Sequence, residues 1–250
     1  MEGRRQEIID LVNRQGEVSF AALKERFPDV SEVTLRKDLR FLDAEHHLIR
    51  IYGGAKSIRS TYVNTTNYYV RYALHADEKK AIAQKAVKLL KPYDSIFLAA
   101  GSTCSAIAQE INNIPLRVFT DGIETAVSLS KLKNIEITVL SGELDSERMQ
   151  VIGPKVLLEL SELRLDYAII GTMCYNMGYG FGVHSVHAIT LLQMLRRRAD
   201  KLVIVMDSSK VEATRAVRNI QEQDVDILVS DGMLPKDVVA YLKKNDVKVL

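Results

Sequence analysis

The sequence predicts an α/β protein with two domains: a winged helix-turn-helix, then a Rossmann-like, mainly parallel α/β domain. The first sixty residues show three short amphipathic helices followed by a hairpin with a Gly-Gly turn, which is winged-helix order. From about residue 76, short apolar strands alternate with helices, the pattern of a parallel sheet covered by helices. These patterns set the domains at 1–58 and 76–250, with the polar, tyrosine-rich segment 59–75 as a linker.

The composition fits a well-packed protein without a membrane partner. Its 250 residues are 47% apolar and 26% charged, which excludes extensive disorder. No apolar stretch approaches the eighteen residues of a membrane span, and the charged N-terminus is unlike a secretion signal, so we expect a cytoplasmic protein. Cys104 and Cys174 lack the short spacing of a zinc or redox pair, so both are interpreted as free thiols. We expect no metal site and no cofactor.

The first two predicted helices are marked by apolar spacing and by their ends. Residues 4–14 place four apolar side chains on one helix face, and Gly16 ends that helix. Ser19 can cap a second, shorter helix. The apolar face of that helix is supplied by Phe20, Ala22, Leu23 and Phe27.

A third predicted helix has the features of an element that reads DNA. Ser31 can cap it, and Leu35, Leu39 and Leu42 must point inward. Its outward residues are then Val33, Thr34, Arg36, Lys37 and Arg40. In a major groove, arginine can bridge guanine and a threonine can touch a thymine methyl group, whereas Ser31 and the helix amides suit a phosphate.

A predicted hairpin around Gly53-Gly54 follows the third helix. Its polar residues would hold the DNA backbone or the minor groove, and they are Arg50, Tyr52, Lys56 and Arg59. The alternative is that the basic stripe on the helix is only a solvated face, because the first sixty residues carry eleven Lys and Arg against ten Asp and Glu. The combined order of helices, turn and hairpin favours double-stranded DNA.

Residues 4–56 resemble the N-terminal domain of the DeoR family of bacterial regulators. The residues that carry the resemblance are Val30-Ser31, Thr34 to Leu39 (TLRKDL), Leu42 and Leu48 to Ala55 (LIRIYGGA). Ile51-Tyr52 stands where the family tends to have a histidine before the glycines. The resemblance implies binding to an operator. Since one winged helix makes few contacts, we expect a homo-oligomer, a dimer or a tetramer, on a repeated or palindromic site.

The second domain is predicted to contain seven strands and six helices. The strands are SIFLAA, LRVFT, EITVLSG, DYAIIG, KLVIVMD, DILVSD and VKVL. The helices are expected near 78–91, 103–112, 123–132, 153–163, 186–199 and 235–244.

Loops after these strands could surround an anionic ligand. The first strand is followed by Gly101-Ser102-Thr103 and a helix, so free amides and hydroxyls would meet at a positive helix end that suits a phosphate. Thr120-Asp121-Gly122 repeats the arrangement, with Asp121 accepting from sugar hydroxyls while Thr120 donates. Gly142 and Gly171 begin two further loops, the second glycine-rich and a candidate lid, and Lys210 ends a third. The alternative for any one loop is an ordinary turn or cap.

Residues 76–232 also resemble the sensor domain of DeoR-type regulators, which is similar to ribose 5-phosphate isomerase. The matching residues are Glu78-Lys79, Ile82-Ala83, Gly101 to Thr103, Thr120-Asp121, Gly153-Pro154, Asp166, Gly171 and Asp207 to Lys210. The resemblance implies a phosphorylated sugar as effector, with Lys79 near it, and repression of genes for catabolism of that sugar. Ala99 and His187 stand where the family often has acidic residues, which changes hydrogen bonding to the sugar.

Two other functions compete with this interpretation. A sugar-phosphate isomerase with an accessory DNA-binding domain needs a carboxylate base, but Glu143, Asp145 and Glu147 lack the order of acids found in the isomerases. We therefore expect no catalytic residues and no enzyme activity. In the third interpretation, the second domain only oligomerises and binds no small molecule.

Overall fold

The computed structural model describes residues 2–45, 47–57, 67–212 and 218–250. Chain contacts divide the protein into two compact units, Met1–Leu74 and His75–Leu250. Within the described residues, no helix is both long enough and apolar enough to cross a membrane.

In the first unit, the described residues up to 57 form three helices and a small sheet around a core of their own. The elements are α1 (Glu2–Gln15), β1 (Glu17–Ser19), α2 (Phe20–Arg26), α3 (Glu32–Ala44), β2 (Ile49–Ile51) and β3 (Gly54–Lys56). Apolar side chains from all three helices pack together, including Ile8, Leu23 and Leu35. The three helices and the β2–β3 hairpin confirm the predicted order.

The strand β1 was not predicted. It pairs antiparallel with β3, which gives the sheet order β1-β3-β2. The turn needs Gly53, whose φ is +80°, and a Cβ on Gly54 would lie 2.2 Å from the carbonyl oxygen of Val18. Gly54 therefore allows β1 to lie against the hairpin.

Part of the predicted linker is helical. The helix α4 (Tyr68–Ala73) begins at Asn67, whose side chain accepts from the amides of Tyr69 and Val70. This helix was not predicted, because three tyrosines and a β-branched valine in six residues favour helix weakly. Residues 59–66 of the segment lie outside the described residues.

A parallel sheet of seven strands forms the centre of the described part of the second unit. Its order is β15-β14-β12-β9-β4-β5-β6, and every pairing is parallel. The strands are β4 (Ser95–Leu98), β5 (Leu116–Thr120), β6 (Ile135–Val139), β9 (Leu165–Gly171), β12 (Ala199–Val205), β14 (Ile227–Val229) and β15 (Lys248–Val249). The helices are α5 (Ala76–Ala86), α6 (Ser102–Glu110), α7 (Ile123–Leu129), α8 (Pro154–Glu162), α9 (Val186–Arg198) and α10 (Lys236–Lys244). All the predicted strands and helices are confirmed, with shifted ends.

The order of the strands places a crevice beside β4. The chain runs outward from β4 through β5 to β6, then returns to the other side of β4 with β9. Loops that leave β4 and β9 therefore turn in opposite directions. In sheets of this kind, ligands bind outside the carboxyl ends of the strands at such a point.

Two antiparallel additions were not predicted. One is the hairpin of β7 (Glu143–Asp145) and β8 (Gln150–Ile152); the other is a sheet of β10 (Cys174–Asn176), β11 (Gly180–Val183) and β13 (Arg218–Ile220). The second contains the glycine-rich loop that was predicted as a lid. The buried Glu222 accepts from the Tyr175 hydroxyl at 3.1 Å and the Gly178 amide at 3.3 Å. The glycine-rich loop is therefore a hairpin held by a buried carboxylate, and its role as a lid stays a prediction.

Candidate DNA-reading surface and effector pocket

The predicted reading helix α3 begins at a hydrogen-bonded cap. The Ser31 Oγ accepts from the Thr34 amide at 3.2 Å and lies 2.9 Å from the Thr34 hydroxyl oxygen. The same arrangement starts α2, where the Ser19 Oγ accepts from the Ala22 amide at 3.1 Å. Both predicted caps are confirmed, and each satisfies an amide that has no partner inside its helix.

The buried face of α3 carries a carboxylate that the sequence analysis missed. Asp38 is 2% exposed, beside the predicted inward Leu35, Leu39 and Leu42. Its two oxygens accept from Arg4 Nε at 2.7 Å and Arg5 Nε at 2.8 Å. Asp38 lies three residues after Leu35, on the inward face, and two arginines stand at the start of α1. That combination could have predicted the contact.

The exposed face of α3 contains the predicted base-reading residues. Val33, Arg36, Lys37 and Arg40 are exposed, whereas Thr34 is half-buried beside Ser31. The Arg36 guanidinium lies 4.2 Å from the centre of the Phe20 ring and 3.7 Å from the Glu32 carboxylate. Phe20, which was predicted only as a core residue, therefore also positions Arg36 by a cation–π contact.

The hairpin is held against both α2 and α3. The Phe20 amide donates to the Gly53 carbonyl at 2.7 Å, and the Arg50 amide donates to Asp43 at 3.0 Å. Tyr52, at the turn, is fully exposed. Lys56 Nζ is 4.0 Å from the Glu17 carboxylate, and the predicted Arg59 lies outside the described residues.

A cleft of about 350 Å³ is lined by residues of α3 and of the hairpin. Its lining includes three arginines and apolar or glycine positions from both elements: Phe20, Arg36, Leu39, Arg40, Arg50, Ile51, Gly53 and Gly54. Three guanidinium groups around one opening produce a positive potential that favours an anion. Planar guanidinium groups also match the geometry of phosphate oxygens.

In the second unit, the loop after β4 delivers free amides to the crevice. Gly101 begins α6 with φ +130°, a conformation that L side chains rarely adopt, and contributes no side-chain cap. The first amides of α6 have no carbonyl four residues earlier within the helix. Ser102 is buried and Thr103 is half-buried at this helix end. The predicted helix start is confirmed, and its geometry suits an anion.

The loop after β5 is built around a buried carboxylate. Asp121 is fully buried; one of its oxygens accepts from the Ala100 amide at 2.6 Å and the other from Gln150 Nε2 at 2.7 Å. Burial raises the pKa of Asp121 to about 6, although these two hydrogen bonds oppose the rise. The buried Thr120 hydroxyl accepts from the Gly122 amide at 2.9 Å. This is a correction: both side chains are used inside the protein, not turned toward a sugar.

The two loops pack closely enough to require glycine at residue 122. A Cβ there would lie 2.8 Å from the Cα of Ala100. The Thr125 hydroxyl also donates to the carbonyl of Ala99, at 3.4 Å. Gln150, which comes from the unpredicted strand β8, had no signal in the sequence because its contact depends on that hairpin.

The remaining predicted pocket residues lie around the same end of the sheet. Gly171 ends β9, and Gly142 follows β6, where a Cβ would be 2.3 Å from the Ile152 carbonyl oxygen. Lys79 is buried in α5, which packs against α6. Lys210 follows β12, which is separated from β4 by β9, so about 10 Å separates those two strands. The loop is fixed by Ser208, whose amide and hydroxyl both donate to Asp231.

Of the two positions in the second unit that depart from the family pattern, one is buried and the other is half-buried. Ala99 is 3% exposed, and its amide donates to the Ile169 carbonyl. His187 lies in the first turn of α9, and its Nε2 is buried with no hydrogen-bond partner among the described residues. Burial lowers the pKa of His187, which favours the neutral ring.

The acidic residues considered for isomerase chemistry lie on the β7–β8 hairpin. Asp145 accepts from the amides of Glu147 and Arg148 and pairs with the Arg148 guanidinium at 3.2 Å. These interactions lower the pKa of Asp145, although partial burial acts in the opposite direction. Glu143 and Glu147 are exposed. Within the described residues, no group of three or more His, Cys, Asp or Glu side chains could hold a metal ion.

Both units match known protein families. The DeoR-like helix-turn-helix domain matches residues 4–61, and the DeoR C-terminal sensor domain matches residues 74–232. The chain is 29% identical to the uncharacterized HTH-type transcriptional regulator YulB of Bacillus subtilis (strain 168), over 98% of this chain and 95% of that protein. It is also 29% identical to the glycerol-3-phosphate regulon repressor of Escherichia coli (strain K12), over 98% of this chain and 97% of that protein.

Among solved structures, ribose 5-phosphate isomerase A from Methanocaldococcus jannaschii is similar over 55% of each chain, with 19% identity and a TM-score of 0.40. The sensor-domain match alone covers more than half of the chain, and the helix-turn-helix match covers the unit before it. The chain therefore belongs to the DeoR family of helix-turn-helix transcriptional regulators.

Proposed function

We propose that this protein represses a carbohydrate-catabolism operon in the bacterial cytoplasm and is controlled by a phosphorylated sugar bound in its second unit. The observation that carries the proposal is the free N-terminus of α6 at Gly101, located beside β4 where the sheet order reverses, in a chain that also contains a helix-turn-helix. A relative named for the glycerol-3-phosphate regulon supports a phosphorylated metabolite as the class of effector.

Operator DNA would be bound by α3 and the hairpin together. The exposed residues of α3 are suited to base edges, and Ser31 with the first amides of the helix is suited to a phosphate. The arginine-lined cleft would hold the DNA backbone that runs between the major groove and the hairpin. The proposed DNA contacts are Ser31, Val33, Thr34, Arg36, Lys37, Arg40, Arg50, Tyr52 and Lys56.

The effector phosphate would be bound by the amides and hydroxyls of Gly101, Ser102 and Thr103. Asp121 would act from beneath as a positioning residue, because its carboxylate fixes the Ala100 amide and therefore the loop that carries Gly101. Thr120 and Gly122 would keep the second loop against the first. The other residues proposed around the pocket are Lys79, Gly142, Gly171 and Lys210.

We propose no catalytic role for the second unit. The Asp145 carboxylate has a lowered pKa and pairs with Arg148, which makes it a poor general base. Binding without chemistry agrees with the transcriptional regulators that the chain resembles along its length. We also propose that the protein is a homo-oligomer, so that two winged helices engage one repeated or palindromic operator.

A thermal-shift screen tests the effector proposal. The full chain is heated with phosphorylated sugars, with the same sugars lacking phosphate and with inorganic phosphate. A ligand at a hundred times its dissociation constant stabilises the protein by about 2.7 kcal/mol, so one phosphorylated sugar should raise the melting temperature while its unphosphorylated form does not. If no sugar phosphate shifts melting and DNA binding persists, the second unit is an oligomerisation module and the effector proposal is wrong.

A further inference from the structure

The first turn of α3 presents an exposed aliphatic side chain among polar groups. Val33 is the second residue of the helix and is 62% exposed. The side chains on either side of it are engaged: the Glu32 carboxylate lies 3.7 Å from Arg36, and the Thr34 hydroxyl lies 2.9 Å from Ser31. Val33 has no polar atom with which to join this network.

The position of Val33 on the helix decides what it can contact. Residues three and four positions later share its face, and these are Arg36 and Lys37, both exposed. The opposite face, with Leu35, Asp38 and Leu39, is buried. Val33 therefore faces outward with two cationic side chains, near the helix end that contacts base edges in helix-turn-helix proteins.

The chemistry of the major groove limits the partner. Base edges there present donors, acceptors and one apolar group, the 5-methyl of thymine. An isopropyl side chain can recognise neither phosphate nor a hydrogen-bonding edge. We infer that Val33 is a specificity-determining residue that contacts the 5-methyl group of one thymine in each operator half-site. This inference rests on the proposed function, because it requires that α3 enters the major groove.

The inference reassigns a contact that the sequence suggested for Thr34. The Thr34 hydroxyl belongs to the cap of α3, and its side chain is half-buried. Val33 is freely exposed one residue earlier. The two side chains thus have different roles in the first turn of α3: Thr34 stabilises the helix, and Val33 contacts the base.

The experiment removes methyl groups from both partners: the 5-methyl group of a thymine, and the two γ-methyl groups of Val33. An operator is selected by the full-length protein from random-sequence DNA, and each thymine is replaced in turn by deoxyuridine, which lacks only the methyl group. Binding is measured by fluorescence anisotropy for the parent protein, V33A, V33I and T34S. The control is V127A, the same substitution at a valine that is 53% exposed on α7 in the second unit.

We expect one thymine per half-site at which deoxyuridine weakens binding of the parent about fourfold, the equivalent of about 0.8 kcal/mol for one buried methyl group. Because V33A removes the contact in both half-sites at once, it should bind the normal operator at least as weakly as the parent binds an operator altered at that thymine in both half-sites. V33A should lose nothing further on the altered operator. V33I, T34S and V127A should keep the parent's sensitivity to the methyl group.

Three results would overturn the inference while leaving operator binding intact. The first is that no deoxyuridine affects binding of the parent. The second is that V33A keeps the parent's sensitivity to deoxyuridine, and the third is that T34S abolishes it. Failure of the parent to select any DNA sequence would instead overturn the proposed function, and the inference with it.

Discussion

Two buried carboxylates, Asp38 and Asp121, organise the two binding surfaces from inside. Asp38 ties α3 to the start of α1 through Arg4 and Arg5, and Asp121 ties the loops after β4 and β5 together. Neither faces solvent, so each acts by positioning other groups. Their substitution should therefore change stability as well as binding.

Removing the negative charge of Asp38 should destabilise the first unit. D38N leaves two arginines, each 24% exposed, facing a neutral amide, and loss of one partner of a buried ion pair costs about 3 kcal/mol or more. Urea unfolding of the full chain, followed by circular dichroism, should show this loss in the transition of the first unit. The control E136Q breaks the exposed pair with Arg117 and should cost about 0.5 kcal/mol or less. Equal effects of D38N and E136Q would contradict the account.

The pKa of Asp121 predicts a pH dependence of stability. The pKa is 3.8 for an unperturbed aspartate and about 6 for Asp121 in the folded protein, so the stabilisation is complete below about pH 3.8 and is lost as the pH rises through about 6. D121N does not titrate. The free energy of unfolding of D121N relative to the parent should therefore rise by up to roughly 3 kcal/mol between pH 4 and pH 7. Urea unfolding across that range checks this, and a constant difference between the two proteins would refute the shift.

Substitutions of Arg36 and Lys56 should have different effects on DNA binding, because Arg36 is proposed to read bases and Lys56 to hold the DNA backbone. R36A should cost roughly 1 to 3 kcal/mol of operator binding and relax the sequence preference, because arginine can bridge a guanine. K56A should weaken selected and random DNA alike and reduce the salt dependence. Anisotropy titrations at two salt concentrations measure both. If R36A and K56A show equal losses that depend only on salt, α3 does not read bases through Arg36.

At the scale of elements, the helices and parallel strands follow from local signals. Three kinds of signal were sufficient to predict these elements: the spacing of apolar residues, the caps Ser19 and Ser31, and glycine after strands. Each signal lies within a few residues of the element it marks. The missed elements depend on distant partners. β1 exists because Gly54 admits the Val18 carbonyl, and β13 pairs with β11 across 35 or more residues. No short window of the sequence contains both sides of those contacts.

The same distinction applies to the candidate sites. The exposed face of α3 and the Gly101 turn could be predicted, because they depend on helix periodicity and on one glycine conformation. The contacts of Phe20 and Gln150 could not be predicted, because each needs the packing of two elements that are distant in the sequence. Asp121 lies in the predicted loop after β5, but its side chain is buried. Its oxygens accept from the Ala100 amide and from Gln150 inside the protein.

The caps of α2 and α3 offer a matched pair of substitutions. S31A and S19A each remove one side-chain acceptor from a helix start, so each should lower stability by about 1 kcal/mol. Only S31A should also weaken operator binding, because Ser31 starts the predicted reading helix. Thermal unfolding and anisotropy measure the two effects. If S19A weakens operator binding as much as S31A, the effect reflects stability of the unit and not α3.

At the scale of the whole molecule, the chain combines two units with different physical tasks. The first unit carries exposed cationic side chains and a cleft of three arginines. The second carries a parallel sheet with the N-terminus of α6 at the point where the strand order reverses. A ligand can change the affinity for DNA only by the factor by which its own affinity differs between the DNA-bound and the DNA-free protein.

The most direct test is the operator affinity of the full-length protein with and without a phosphorylated sugar. The sugar phosphate that raises the melting temperature is titrated into the protein bound to its selected operator, with glycerol 3-phosphate and ribose 5-phosphate included in the panel. We predict that one phosphorylated sugar changes the operator Kd by roughly fivefold or more, within the usual range of allosteric coupling, while its unphosphorylated form does not. An operator Kd that is unchanged by every sugar phosphate, including one that binds, would contradict it.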